Sequence, residues 1–347
     1  MTSFLNKAIQ HYRQRKKKKF LQQPSSYKHK YAIIGTGIHN ITNIYPCLWF
    51  LGIPVKIIYS RNKTNAISAA QRWPDCIGTN SLEDIINNES ITGVFVASLP
   101  QFQGVISAQL LKAGKHVFVE KPIGLSTKEL QNVVTAEHSK TICLPGLQRR
   151  FSPLAKKIKK ESQNAINYHY CFSIGNYPEG NVLFDVFIHP IDFVIHLFGE
   201  ATIVHAYKTT NNSTSTFYLL LNHNGVHGNI ELSTAYSWQE PIDELCINTQ
   251  EAILKAKYPY YLESCSKPQS FTNLPLEKIF PSPLKKLILM NSSFLPIAEN
   301  NSLYAMGFYP QLEHFVNCVE EERKDGFGSS KSLLPAYLIL ETLQKLS

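Results

Sequence analysis

The tightest constraint on this chain's fold is an alternation of short apolar runs with helical stretches. Tyr31–Ile34 and Val55–Tyr59 read as strands; Val94–Ala97, His116–Val119 and Thr141–Leu144 follow. Between them, Val105–Leu111 has helical spacing and stops at Ala113-Gly114-Lys115. Ser126 is placed to cap a helix running to about Ser139, with Glu129 three residues on in the capping-box pattern. Strands interleaved with helices of this length predict a doubly wound parallel sheet, since parallel neighbours need a crossover between them.

After Gly146 the rhythm changes. Strand-like runs at Thr202–Tyr207, Thr216–Leu221, Val226–Ser233 and Glu244–Asn248 have no helices between them and predict a largely antiparallel sheet. His223-Asn224-Gly225-Val226-His227 straddles a turn glycine and reads as a hairpin. A helix ends at Gly199, and two more, Tyr309–Glu321 and one near Ser332–Leu346, come last. The expected division is a tail and linker over 1–30, a dinucleotide-binding Rossmann domain over 31–146 and an α+β domain with an open sheet over 147–347.

Gly35-Thr36-Gly37 directly follows the first strand and precedes a presumed helix, the setting in which such glycines cradle a pyrophosphate. Gly35 permits the tight turn, and Gly37 lets phosphate approach backbone N–H groups, with Thr36, Ile38 and His39 completing the turn. Asn40 stands where the third glycine of the fingerprint belongs. The second strand ends in Ser60-Arg61-Asn62-Lys63, not in the acidic residue that would bond a ribose 2′-hydroxyl. Ser60, Arg61 and Lys63 suit a 2′-phosphate, so the pattern favours NADP over NAD. A solvated basic turn is the plainer alternative.

Charge bears on partners. The formal net charge is +9, but nine of the 35 Lys and Arg side chains and none of the 26 acids fall in residues 1–30. The body is neutral, so no nucleic-acid surface is expected. In the tail, Leu5, Ala8, Ile9 and Tyr12 have helical spacing ahead of the basic block Arg13–Lys19. That block could hold the protein at an anionic membrane surface or serve as a disordered solubilising tail. No apolar run approaches a membrane span, the N-terminus does not read as a secretory signal, and the seven scattered cysteines lack a Cys-x-x-Cys pair. A cytoplasmic, reducing location is expected, possible contact with the inner face of the membrane included.

Two further segments carry chemistry. Lys121, in Glu120-Lys121-Pro122, follows the C-terminal end of a strand, where open α/β sheets bind ligands. Its ammonium could stabilise a developing alkoxide. Asp185, His189, Asp192 and His196 are spaced to share one helical face, with Pro190 tolerable only if the helix begins near Phe187. His189 is the candidate general base, and Asp185 could bind a substrate hydroxyl or orient the imidazole. The same face could ligate a metal or form a polar domain interface, and Asp192 and His196 read as structural; no metal is predicted.

Together these segments resemble the Gfo/Idh/MocA oxidoreductases. Ala113 to Pro122 looks like the AGKHVxxEKP signature of that family, Val94–Pro100 its VxIATP segment, and Gln148 to Pro153 its NRRFxP join. Asp185-x-x-x-His189-x-x-Asp192 resembles its substrate-side motif. The resemblance spans roughly residues 31 to 345. It implies hydride transfer on a sugar, nucleotide-sugar or cyclitol hydroxyl. Lys121, His189 and Asp185 would be catalytic, and Ser98, Leu99, Pro100, Glu120, Lys121 and Arg149 would line the cofactor. It also implies a cis Lys121–Pro122 bond and a homodimer or tetramer. Gln101–Gly104 departs from the family in lacking a histidine. The tail and Lys267–Asn301 lie outside the pattern. A non-catalytic dinucleotide- or sugar-binding sensor or scaffold is the alternative, although it would not need Lys121, Asp185 and His189 together.

Overall fold

The computed structural model describes residues 2–21, 27–267, 270–271, 274–275, 285–290, 302–324 and 329–346. The predicted alternation forms a parallel sheet of β1 (Lys30–Ile34), β2 (Val55–Tyr59), β3 (Ile77–Thr79), β4 (Ile91–Val96), β5 (His116–Glu120) and β6 (Cys143–Gly146). Their order, β3-β2-β1-β4-β5-β6, is the doubly wound order of a dinucleotide-binding domain. The strands are apolar almost throughout because helices cover both faces. Ala32, Ile34, Val94 and Val96 fall in one core while Tyr31, Ile33, Phe95 and Phe118 fall in the other, as period-two alternation requires.

The N-terminal helix α1 (Thr2–Leu21) precedes this sheet. The crossovers are α2 (Tyr45–Leu51), α3 (Lys63–Ala70), the single turn α4 (Glu83–Ile86), α5 (Pro100–Lys112) and α6 (Thr127–Ala136). Helix α5 begins earlier than its spacing indicates, with Pro100 at its first turn, where the missing N–H costs nothing. At α6, Ser126 Oγ accepts from Glu129 N (3.2 Å), but the Glu129 carboxylate accepts from Leu125 N (2.6 Å), so the predicted capping box is displaced by one residue.

The second sheet has eight strands in the order β16-β13-β12-β11-β7-β10-β9-β8. They are β7 (Ala165–Ser173), β8 (Thr202–Asn211), β9 (Thr214–His223), β10 (Val226–Ser233), β11 (Ile242–Thr249), β12 (Ala252–Lys257), β13 (Tyr261–Ser266) and β16 (Lys285–Met290). A small ribbon, β14 (Ser270–Phe271) and β15 (Leu274–Pro275), stands apart. Within this second sheet, only β7 and β10 pair in parallel among the described strands. The hairpin predicted at His223–His227 is present: Asn224 (φ 52°) and Gly225 (φ 107°) take the left-handed conformations of a tight two-residue turn.

Helices α7 (Pro153–Glu161), α8 (Ile188–Phe198) and α11 (Leu334–Gln344) belong to this half, where Phe187 packs edge-on against Phe172 and Phe217 of the sheet. A short α9 (Ser302–Ala305) leads into α10 (Phe308–Glu320), which returns to the parallel sheet, its Phe315 packing against Phe95 and Phe118. The division expected at Gly146 is therefore a division of sequence, not of packing. No described helix is long and apolar enough to cross a membrane. The expected linker falls largely at 22–26, and most of Lys267–Asn301 lies likewise outside the described residues.

Candidate active site

Sequence placed a turn between β1 and the following helix, and its geometry is specific. Gly35 has φ +111°, and a Cβ there would stand 2.0 Å from the Ala97 carbonyl oxygen at the end of β4. Gly37 is the opposite case: a Cβ would meet nothing within 4 Å, leaving open space in front of the helix N-terminus. That space is a cleft of about 740 Å³ whose walls include Gly35, Thr36, Gly37, Ile38, His39, Ser60, Arg61, Ser98 and Leu99. A glycine cradle opening onto such a cleft fits the pyrophosphate of a dinucleotide.

Asn40 explains how the chain manages without the third glycine. It starts a π-helical turn, Asn40–Ile44, that leads into α2, and its side chain is buried. Nδ2 donates to the Ala97 carbonyl at 2.9 Å, tying the glycine turn to the end of β4. Tyr45 adds a second tie, its hydroxyl donating to the Gly35 carbonyl at 2.8 Å.

At the end of β2, Ser60 Oγ accepts from Thr36 Oγ1 (3.0 Å), and the Arg61 guanidinium lies 5.7 Å from the Phe102 ring centroid. Asn62 is committed elsewhere: it caps α3, accepting from Thr64 N and Asn65 N. Lys63 is the exposed first residue of α3, and Pro100 opens α5. Glu120 is buried at the end of β5, 3.4 Å from His39 Nε2. This brings the glycine turn next to Lys121.

Lys121 is half-buried, on the cis Lys121–Pro122 bond, and its Nζ donates to the main-chain carbonyl of Asp185. Burial lowers its pKa and Arg149 adds to this, while Glu120 and Asp185 pull the other way. Helix α8 is preceded by a π-helical turn, Leu183–Phe187, which carries Asp185. That turn breaks the single face expected from spacing. The Asp185 carboxylate accepts from Tyr177 Oη at 3.3 Å, and among the described residues no hydrogen bond joins it to the His189 imidazole. Burial raises its pKa, although Lys121 and Tyr177 act to lower it.

His189 has a buried Nδ1 with no hydrogen-bond partner among the described residues. Burial, with Lys121 and Arg149 contributing, holds its pKa well below the usual value. The imidazole is therefore neutral and able to accept a proton. Asp192 turns away from this cluster to pair with Arg150, whose Nε donates to Asp192 Oδ2 at 2.8 Å. The structural reading of Asp192 fits that burial.

Arg149, like Lys63, Pro100, Glu120 and Lys121, is not among the residues that wall this cleft. Its NH2 group lies 2.7 Å from Asp243 Oδ2, its NH1 group donates to Tyr170 Oη at 3.0 Å, and its guanidinium stacks 4.2 Å from the Tyr258 centroid. Burial disfavours its charge, but Asp243 and Tyr170 hold it firmly protonated. It anchors the second sheet, and its positive field reaches Lys121 and His189. No signal in the sequence announced Tyr177 or Asp243: the first lies in a loop eight residues before Asp185, and the second on β11, outside the motifs. Among the described residues no three His, Cys, Asp or Glu side chains converge as a metal cage would require.

Residues 29–145 match the model of the Gfo/Idh/MocA oxidoreductase family with its NAD-binding Rossmann fold. Residues 29–145 thus carry the NAD-binding Rossmann domain of that family. Among curated relatives, the NADP-dependent scyllo-inositol 2-dehydrogenase IolW of Bacillus subtilis is 28% identical over 169 residues, 44% of this chain and 46% of that protein. Among solved structures, a levoglucosan dehydrogenase in complex with NADH and L-sorbose superposes with TM-score 0.76 at 16% identity, covering 92% of this chain and 96% of that one. The UDP-N-acetylglucosamine 3-dehydrogenase GnnA of Acidithiobacillus ferrooxidans gives TM-score 0.72 at 16% identity, covering 90% and 95%. These structures share the fold of this chain over both halves. The chain spans about a third to a half of the length of the first curated relatives it matches.

Proposed function

We propose that this protein is an NAD(P)-dependent oxidoreductase acting on a hydroxyl or keto carbon of a sugar, nucleotide sugar or cyclitol. The observation that carries the reading is the half-buried Lys121 ammonium near the neutral His189, whose Nδ1 has no partner among the described residues, next to Glu120, which faces His39 of a cleft that fits a dinucleotide. A bound nicotinamide supplies the hydride acceptor or donor. Lys121 hydrogen-bonds the carbinol oxygen and stabilises negative charge as it develops there. His189 Nδ1 takes the hydroxyl proton, or returns it in the reverse direction. Asp185 holds the Lys121 side chain through its main-chain carbonyl and offers its carboxylate, with Tyr177, to a second hydroxyl.

NADP is the favoured cofactor. No acidic residue ends β2, and Ser60, Arg61 and Lys63 suit a 2′-phosphate. Titrating the purified chain with NADPH and NADH tests this. The expected result is tighter NADPH binding that weakens about tenfold in Arg61→Ala, the loss of one charged hydrogen bond. Binding of neither nucleotide would leave the sensor or scaffold reading in its place.

The reading extends to assembly and location. Tyr207, Leu220 and Ile253 are exposed on the eight-stranded sheet, a surface suited to a homodimer or tetramer, which sedimentation would detect. Seven free cysteines suit a reducing cytoplasm. The basic block of α1 would add contact with anionic lipid at about 1 kcal/mol per basic residue near the surface. Equal partitioning onto anionic vesicles of the full chain and one starting at Ser26 would end that idea.

A further inference from the structure

A polar cavity of about 460 Å³ lies beside the candidate reaction centre, walled by the loop after β7, the β8–β9 hairpin and the C-terminal end of α11. Its chemistry is uneven: Asn176, Tyr177, Ser213, Ser215 and Thr234 present amide and hydroxyl groups around one cation, Lys208. Lys208 pairs with Phe217 across β8 and β9, so it points to the covered face of the sheet, where Phe217 is buried. Its ammonium stands 5.9 Å from that ring, and no carboxylate pairs with it among the described residues. A half-buried ammonium against an apolar face gains most from an anionic partner.

The cavity wall also borders the reaction centre. Tyr177 lines the cavity and its hydroxyl donates to Asp185 Oδ2 at 3.3 Å. Gly180 lines it too, and a Cβ at that position would stand 2.4 Å from the same oxygen. Only the absence of a side chain at Gly180 keeps the carboxylate accessible from this side. The hairpin tip is held over the loop by Asn176 Nδ2 donating to Ser213 Oγ at 3.3 Å.

We propose that this cavity is the subsite for an oxyanion carried by the substrate, a carboxylate or phosphoryl group on the sugar, with Lys208 as its counter-ion. The proposal rests on the oxidoreductase reading and names the substrate class more narrowly: an acidic sugar, whose carbinol reaches Lys121 and His189 while its anionic substituent reaches Lys208.

The test is calorimetric titration of the full chain with glucose, glucuronate and glucose 6-phosphate, each with and without saturating NADPH. At least one anionic probe should bind about tenfold or more tightly than glucose, the scale of one charged hydrogen bond. Glucuronate in front identifies a carboxylate site and glucose 6-phosphate a phosphoryl site. Lys208→Met should erase the preference and leave NADPH affinity and thermal stability unchanged, while Lys208→Arg should keep most of it. Equal binding of the three probes, binding of none, or a preference that survives Lys208→Met overturns the subsite. Failure of NADPH to bind would instead count against the oxidoreductase reading, and the titrations without nucleotide would still decide the subsite.

Discussion

Two neighbouring arginines leave the parallel sheet together and do different work. Arg149 is drawn into the second sheet by Asp243, Tyr170 and Tyr258, whereas Arg150 is drawn to helix α8 by Asp192 and to Ser332 before α11. One residue thus fixes the sheet, and the next fixes the helix that carries His189. The site between the halves depends on both anchors, although neither is a chemical group of the reaction. Burial of charge, not proximity in sequence, separates anchors from reagents here: each anchor is paired with a carboxylate, while Lys121 and His189 keep unspent hydrogen-bonding capacity.

Breaking an anchor should therefore damage the fold most. Asp192→Ala leaves the Arg150 guanidinium buried without its carboxylate, and should cost about 3–5 kcal/mol by urea unfolding. A loss under 1 kcal/mol would mean Ser332 and water suffice, and the division between anchors and reagents would fail. Removing a reagent should do the reverse. Lys121→Met should lower turnover roughly 10²–10³-fold, the scale of losing one donor to a developing oxyanion, with NADPH affinity and unfolding midpoint unchanged. Turnover unaffected by that change would exclude Lys121 from the chemistry.

The same contrast divides the two glycines of the turn. Gly35→Ala forces a Cβ against the Ala97 carbonyl at a positive φ, and should destabilise by roughly 1–3 kcal/mol while weakening nucleotide binding. Gly37→Ala meets no protein atom, so it should leave stability intact and reduce only nucleotide affinity. Thermal melts with and without NADPH separate the two. If Gly37→Ala binds NADPH normally, the space before it is not the pyrophosphate site.

How much of this was readable from sequence follows from what each half exposes. The strands β1, β2, β4 and β5 were legible because a sheet covered on both faces must be apolar throughout. The central strand of the second sheet, β7, was not: Asn167, His169 and Cys171 alternate with Tyr168, Tyr170 and Phe172, so no apolar run marks it. β3 escaped notice because it has only three residues and Ile77 is exposed. Lys121 and His189 were found through motifs. Spacing alone does not show that Asp185 sits on a π-helical turn before α8, nor that Arg149 pairs with Asp243, 94 residues away in the sequence, which β11 brings within reach of the Tyr170 hydroxyl.

Acid should distinguish the halves again. Burial pushes His116 of β5 down to about 4 and His196 of α8 down to about 3, and lowers His189 and His223 as well. Each is neutral in the folded chain and protonates near pH 6.5 when unfolded, so the unfolded state gains protons first as pH falls. The contribution of these histidines should be level above about pH 7 and decline below about pH 6.5, by on the order of 1 kcal/mol per histidine at pH 5 after solvent screening. Three of the four lie in the second half, so its amides should lose hydrogen-exchange protection before those of β1 and β4. A urea midpoint that does not move between pH 7 and pH 5 would contradict the buried, neutral state of these imidazoles.

The smallest expected effect tests the most unusual feature of the nucleotide turn. Asn40 holds the place of a glycine, yet its amide donates to Ala97 O, the atom that bars a side chain at Gly35. Asn40→Ala removes that tie from the Ala97 carbonyl, which should cost about 1 kcal/mol, the usual net value of one such bond. Asn40→Gly restores the glycine of the fingerprint but adds backbone freedom within the helical turn, so it should cost somewhat more, by roughly 0.5–1 kcal/mol. Tyr45 still ties the same turn through the Gly35 carbonyl, and NADPH affinity should therefore change little in either variant. If Asn40→Gly were instead more stable and bound NADPH more tightly, the asparagine would be a burden on the cleft rather than the staple that lets this turn close without its third glycine.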